Sequence, residues 1–229
     1  MYLKTIFDKA KREKRKNLLE HEVYQILNFY RIPTPKWKLV KSKKEAVEFA
    51  EKSKYPVVLK VVSKEIIHKS DVGGVFVDLP DKIAVERAYD QITKNVRKNV
   101  PRAKIEGVLV YKMIQKGKEV IIGGMKDPQF GQTIMFGSGG ILVEFIRDTV
   151  FRVLPITRKN AEEMIDESKI SNLLRSYRGT SSDVNEIINT IMKVGKLLED
   201  NPQIKEFEMN PIEVLKKGLC PVDARIILE

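Results

Sequence analysis

Apolar residues at Leu18, Leu19, Val23, Ile26, Leu27 and Tyr30 recur at helical spacing and predict a helix over residues 17–30. RIPTP (31–35) ends it, because proline lacks an amide donor and restricts the residue before it. WKLV (37–40) then predicts a short strand, and Lys43–Lys52 an amphipathic helix. The run PVVLKVV (56–62) is apolar on both faces and predicts a buried strand, with GVFVDL (74–79) as its partner. A long helix follows over 81–99, its faces marked by Ile83, Ala84, Arg87, Ala88, Ile92 and Val96.

Strands dominate next: GVLVYKMI (107–114), KEVIIGGM (118–125), QTIMFG (132–137) and VFRVLPI (150–156), with DPQFG (127–131) as a turn. Helices return near 158–166, 169–177 and 183–200, the last opening at Ser182-Asp183 as an N-cap. The chain ends in IKEFEMNPIEVL, the turn KKG and LCPVDARII. Prolines in both arms of that hairpin predict a bulge or an edge position. The class is α+β, with mixed, mainly antiparallel sheets and flanking helices.

Composition narrows the setting. With 42% hydrophobic and 32% charged residues the chain is globular and long enough for one large domain or two lobes. It has no apolar run of membrane-spanning length and no secretory h-region, and a lone cysteine, Cys220, forms neither a disulfide nor a metal quartet. These features read as a cytoplasmic protein. A net charge of +11 attracts nucleic acid, anionic membrane or polyanionic small molecules. The densest cluster, Lys9, Lys11, Arg12, Lys14, Arg15 and Lys16, reads as the solvated side of an arm or first helix turn. No zinc-finger spacing or aromatic RNA-binding strand supports a nucleic-acid partner, and nothing supports a membrane.

Three constellations carry chemistry. Lys60 alternates with Val58 and Val62 inside the apolar strand, where an ammonium is costly unless an anion meets it. An edge lysine reaching water, or an internal salt bridge, are the structural alternatives. His68 lies in a polar loop before Gly73-Gly74, where Asp71 is placed to orient the imidazole for attack on phosphorus. His21, within the first helix, reads as idle. Glu208 and Asn210 are two apart on a strand, and the returning arm brings Asp223 near their level, a set of hard oxygen ligands suited to Mg2+ or simply a solvated polar face. Gly137-Ser138-Gly139-Gly140 either cradles phosphate or CoA or is a plain turn, and no Walker loop occurs.

In order along the chain, YRIPTP, PVVLKVVSKEIIHKSDVGGV, GVLVYKMIQKGKEVIIGGMKDPQFG, FGSGGILVE and EFEMNPIEV with CPVDARI resemble the ATP-grasp subunit of ADP-forming acyl-CoA synthetases, relatives of succinyl-CoA synthetase. Only the first 16 residues fall outside the resemblance. It implies an ATP-grasp fold of two lobes that clamp ATP: a smaller lobe at 21–111 with Lys60 and the His68 loop, and a larger one at 1–20 plus 112–229 with the nucleotide and Mg2+ site. It implies that Lys60 contacts nucleotide phosphates and that the crossing strand Val110, Tyr111, Lys112 and Met113 reads adenine through its backbone. Glu119 would hold the ribose. Glu208, Asn210 and Asp223 would bind Mg2+, and His68 would be phosphorylated transiently. Lys112 departs from the acidic residue frequent at that place. The implied reaction is acyl-CoA + ADP + phosphate ⇌ acid + CoA + ATP. It would be shared with an α subunit bearing the CoA- and acyl-binding domains, in an α2β2 heterotetramer, without which no complete activity is expected. The competing readings are another ATP-grasp carboxylate ligase in which His68 has no covalent role, and a basic nucleic-acid-binding protein.

Overall fold

The computed structural model describes residues 2–140, 148–175 and 181–229. The chain opens with helix α1 (Tyr2–Arg12), which buries Ile6 and Ala10, and helix α2 (Glu20–Phe29). The expected helix over 17–30 begins later than its apolar spacing suggested, because residues 17 and 18 pair with the C-terminal strand instead. Asn17 bridges Ile227, and Leu18 N–H donates to Ile226 O, so this segment lies along the C-terminal strand.

In the basic cluster Lys9, Lys11, Arg12, Lys14 and Lys16 are exposed as expected, and Arg15 is the exception. The Arg15 side chain is 7% exposed and gripped by Glu22, with Nη1 and Nη2 each 3.0 Å from a carboxylate oxygen, while Nε reaches Glu13. Burial pushes the Glu22 carboxyl up. The hydrogen bonds from Arg15 and the Leu19 N–H, with the Arg15 and Lys9 charges, outweigh burial and leave it below the usual carboxylate range.

Pro35–Met113 forms one compact unit, and Met1–Thr34 with Ile114–Glu229 forms the other. The expected smaller lobe at 21–111 starts earlier than this unit, because α2 packs against the C-terminal strand of the other one. The smaller unit contains β1 (Trp37–Val40), α3 (Lys43–Ser53), β2 (Val57–Ser63), β3 (Val75–Leu79), α4 (Lys82–Asn99) and β4 (Ile105–Lys112). Its sheet runs β1-β4-β2-β3, antiparallel throughout. Ser42 and Asp81 cap α3 and α4 by accepting from Glu45 N–H and Ala84 N–H. The two helices cover one face of the sheet. There Val57, Leu59, Val61, Val108 and Val110 pack on Ala46, Ala50, Val85, Ala88, Ile92 and Val96.

The larger unit continues with β5 (Lys118–Asp127), β6 (Gly131–Ser138), β7 (Thr149–Val153), α5 (Arg158–Glu167), α6 (Ser171–Arg175), α7 (Val184–Asp200), β8 (Ile204–Val214), β9 (Leu219–Pro221) and β10 (Ala224–Leu228). Asp127 Oδ1 accepts from Gln129 and Phe130 N–H and closes the expected turn between β5 and β6. Asp183, the expected N-cap of the last helix, accepts from Glu186 N–H. The end of the helix expected over 169–177, and Ile141–Glu144 of FGSGGILVE, lie outside the described residues.

Sheet order here is β10-β8-β5-β6-β7, with β9 also on β8. The proline-bearing β8 is therefore interior, whereas the other proline-bearing arm, β9 with Pro221, pairs only with β8, so the edge expectation holds for that arm and not for β8. The bulge is present: Val120 faces Ile212 and Ile122 faces Met209, so Asn210 and Pro211 together stand opposite Ile121. Pro211 sits where the ladder is already broken, which removes the penalty for its missing donor.

Candidate functional site

Lys60 lies on β2, an interior strand, opposite Val75 on β3 and Leu109 on β4. That position excludes the edge-strand alternative. Because side chains alternate, Lys60 projects away from the helix-covered face, on the side of Val58, Val62 and Tyr111. Lys60 is 6% exposed, and its Nζ sits 5.4 Å from the centroid of the Tyr111 ring, whose face attracts a cation.

His68 is exposed at the tip of the loop between β2 and β3. Ile66 before it is buried in the helix-covered core, and Ile67 beside it is 54% exposed. After it the chain closes into a tight knot. Gly74 N–H donates to Lys69 O at 2.8 Å, Gly73 N–H to Ser70 O at 3.0 Å, and Val61 N–H to Gly74 O at 2.8 Å. The expected help from Asp71 is not found: neither its carboxylate nor the imidazole makes a hydrogen bond among the described residues. His21 lies half-buried in α2.

On the expected adenine-reading strand, Val110 and Tyr111 face β1 on one side and β2 on the other, Lys112 pairs with Val57 alone, and Met113 N–H donates to Pro56 O at 3.0 Å. The backbone of Val110 and Tyr111 is therefore flanked on both sides, while Lys112, the exposed one, is paired on one side only. Ile114, Gln115 and Lys116, which follow, carry no hydrogen bond among the described residues.

In the larger unit, Glu119 and Asn210 meet around the glycine turn. Gly140 N–H donates to Asn210 Oδ1 at 2.9 Å, and Gly139 N–H donates to Glu119 O at 2.9 Å. Gly140 has φ +70°, and a Cβ there would overlap Glu119 Oε2, so only glycine lets the carboxylate lie against the turn. Ser138 N–H donates to the backbone carbonyl of Asp148. All three amides of 138–140 are thus engaged within the protein, which makes this segment a structural turn rather than a phosphate cradle. Sequence reasoning missed Asp148. It is buried, accepts from Ser138 Oγ, Lys169 N–H and Ile170 N–H, and ties the turn to the start of α6.

Glu208 and Asn210 share a face of β8, and Asn210 N–H donates to Asp223 O at 3.2 Å. Burial pushes the Glu208 carboxyl up, the carboxylates of Asp223 and Glu206 push it further, and Arg225 pulls it back. Among the described residues no three His, Cys, Asp or Glu side chains converge as a metal cluster. The set consists instead of two neighbouring carboxylates and one amide oxygen. It suits Mg2+, because hard oxygen donors and like charges held together are both relieved by a hard cation. Cys220 on β9 is chemically quiet, since burial pushes its thiol up to about 12.

A concavity of about 470 Å³ gathers Lys116, Lys118, Lys216 and Lys217 where residues 115–118 pass the end of β8. Its sequence signal was the pair of short basic turns, KGK and KK, a hundred residues apart.

Residues 9–228 match the family of the ATP-grasp domain. The chain is 44% identical over 224 residues to the β subunit of acetate–CoA ligase (ADP-forming) I of Pyrococcus furiosus, covering 97% of this chain and 96% of that subunit. It is 45% identical over 216 residues to the 4-hydroxybutyrate–CoA ligase (ADP-forming) of Nitrosopumilus maritimus, covering 94% of this chain but 31% of that longer protein. Among solved structures it matches the dinucleotide-forming acetyl-coenzyme A synthetase 1 of Ca. Korarchaeum cryptofilum. The complex of that enzyme with coenzyme A and Mg-AMPPCP, its phosphohistidine segment pointing towards the nucleotide site, gives TM-score 0.88 and 41% identity over 99% of this chain and all of that one. A second structure, with coenzyme A, acetyl-coenzyme A and the segment phosphorylated in a site I orientation, gives TM-score 0.91 and 42% identity at the same coverage.

Proposed function

The chain belongs to the ATP-grasp family and, within it, to the β subunits of ADP-forming acyl-CoA synthetases, and from that premise we propose that it carries out the nucleotide half of acyl-CoA + ADP + phosphate ⇌ acid + CoA + ATP. His68 is the carrier. A β-phosphate oxygen of ADP attacks the phosphorus on the imidazole; the new P–O bond forms as the P–N bond breaks, and the ring nitrogen recovers its lone pair. The observation that supports this reading best is the exposed imidazole flanked by a buried Ile66 and a closed backbone knot. A carrier needs such a tip, free itself on fixed supports.

Lys60 meets the transferring phosphoryl oxygens and offsets charge as two anions are forced together. Its place on an interior strand over the Tyr111 ring fixes it before the reaction, so no reorganisation is needed at the moment of transfer. Glu208, Asn210 and Asp223 would hold Mg2+, which supplies neutralisation of the nucleotide phosphates. Glu119, lying against Gly140, accepts from the ribose hydroxyls, and the adenine edge is read downstream of the crossing strand by the backbone of Ile114–Lys116. The net charge of +11 serves ADP, ATP and CoA, all polyanions.

A partner α subunit would supply CoA and acyl chemistry, in an α2β2 assembly. Among the described residues no helix is long and apolar enough to cross a membrane.

The test is transfer of label from γ-labelled Mg-ATP to the chain, with and without its partner. Acid-labile label should appear on the parent and be absent from His68→Ala, whose nucleotide affinity should not change. Equal labelling of the two removes His68 as the carrier.

A further inference from the structure

The His68 segment is tethered at both ends by means the reaction does not explain. Upstream, Glu65 Oε2 accepts from Ser63 Oγ at 2.7 Å and from Lys104 N–H at 3.2 Å, and Ile66 is buried. Downstream, Lys69–Gly74 closes on itself through two backbone bonds. Only Ile67 and His68 lie between the anchors. A chain reaches at most about 3.6 Å per residue. His68 therefore stays within about 7 Å of Ile66, measured between Cα atoms, unless an anchor yields.

The downstream knot is fastened to α4 by side chains. Asn95 Nδ2 donates to Gly73 O at 2.8 Å, and Asn99 Nδ2 donates to Val72 O at 3.1 Å. Gln91 Nε2 donates to Asn95 Oδ1 at 2.8 Å, which occupies the acceptor end of that amide and leaves its NH2 to face Gly73. Residues 91, 95 and 99 are spaced four apart and form one stripe of α4. Gly73 has φ +65°, and a Cβ there would stand 2.5 Å from Asn95 Nδ2, so the glycine admits the amide directly onto the backbone.

We propose that Gln91, Asn95 and Asn99 form an amide rail that holds the His68 segment at one of two stations and releases it for the other. The proposal rests on the carrier reading and names the contact that controls it. Buried Ile66 and the β2–β3 ladder are costly to undo. Two amide side chains on a helix surface exchange their partners for water at small cost, so the rail is where release is cheapest. Structures of the related enzyme specify the orientation of its phosphohistidine segment, towards the nucleotide binding site in one and a site I orientation in another, and an orienting catch is what such a segment would need.

The rail residues are positioning residues, and the measurement is a ratio. In the complex with its partner subunit, the rate of His68 phosphorylation from ATP is compared with its rate from acyl-CoA plus phosphate. Asn95→Ala/Asn99→Ala should shift the ratio of the two rates about tenfold, the value of two modest hydrogen bonds, with the nucleotide KM unchanged. Asn95→Asp, isosteric but without the donor, should shift it the same way, and Arg97→Ala, exposed on the same helix, should not. An unaltered ratio, or two rates that fall equally, overturns the rail alone. A parent protein that takes no label at His68 overturns the carrier reading and the rail with it.

Discussion

Lys60 and His68 are eight residues apart in one unit and are held in opposite ways. Lys60 is locked in the middle of a four-stranded sheet, almost without exposure, its ammonium over an aromatic ring. His68 is exposed on two untied residues between anchors. The contrast separates two demands of phosphoryl transfer. Charge stabilisation works best from a group that never moves, because a fixed dipole or charge costs no reorganisation. Carrying works only from a group that can leave. In the proposed roles of Lys60 and His68, one strand and the loop that follows it would meet both demands, because the sheet ladder ends between them.

The sharpest way to break the contrast is to remove the fixed charge and keep its shape. Lys60→Met should lower phosphoryl transfer about 10²- to 10³-fold, the scale of losing one preorganised donor, and weaken nucleotide binding as well. The change in stability is a separate quantity, set by what the buried ammonium interacts with in the fold. Single-turnover labelling and a denaturant titration on the same sample read both quantities. Unchanged ATP binding would refute the placement of the phosphates at Lys60.

A second comparison isolates what a buried charge does when no ligand depends on it. Arg15 and Glu22 form a buried pair in the other unit, and Glu22→Gln should destabilise by about 3 kcal/mol, at the low end for breaking such a pair because Arg15 keeps Glu13. The Glu22 carboxyl is held below its ordinary range. Its contribution is therefore complete above the unfolded value of about 4.3 and is lost as pH falls through the lower folded value. Urea titrations from neutral to acid pH should show this loss in the parent and not in Glu22→Gln. Turnover at neutral pH should be the same in both, and a drop in turnover without a drop in stability would contradict a purely structural pair.

Legibility followed how local each feature is. The Lys60 strand and the His68 loop were readable because a six-residue apolar run interrupted by one cation, then a polar glycine loop, states its own conflict. The interior position of β8 was not readable, since which strands flank a hairpin depends on residues 118–127, far upstream. Asn95 and Asn99 carry no distinguishing pattern in the sequence, and only the fold brings Gly73 and Val72 within reach of them. Arg15 and Glu22 were hidden for the same reason: in a chain with this many charges, a buried pair has no distinct pattern. How much of the crossing strand's backbone is left open was not readable either, because that depends on which strands flank Val110 and Tyr111.

The smallest effect belongs to Glu208, which lies between the two extremes, neither locked like Lys60 nor free like His68. Burial first, then Asp223 and Glu206, raise its carboxyl above the ordinary range. Its neutral form favours the fold, so this contribution to stability is present at low pH and is lost as pH rises through the raised value. Mg2+ competes with that proton. In the parent, Mg2+ affinity measured in the presence of ATP should climb with pH through the raised value. Glu208→Gln should need severalfold more Mg2+ at neutral pH, lose that part of the climb, and leave Asn210 and Asp223 to hold the ion. Parallel pH curves for the two proteins would mean that the Glu208 carboxylate does not touch the metal and that its charge is balanced by Arg225, 3.9 Å away, instead.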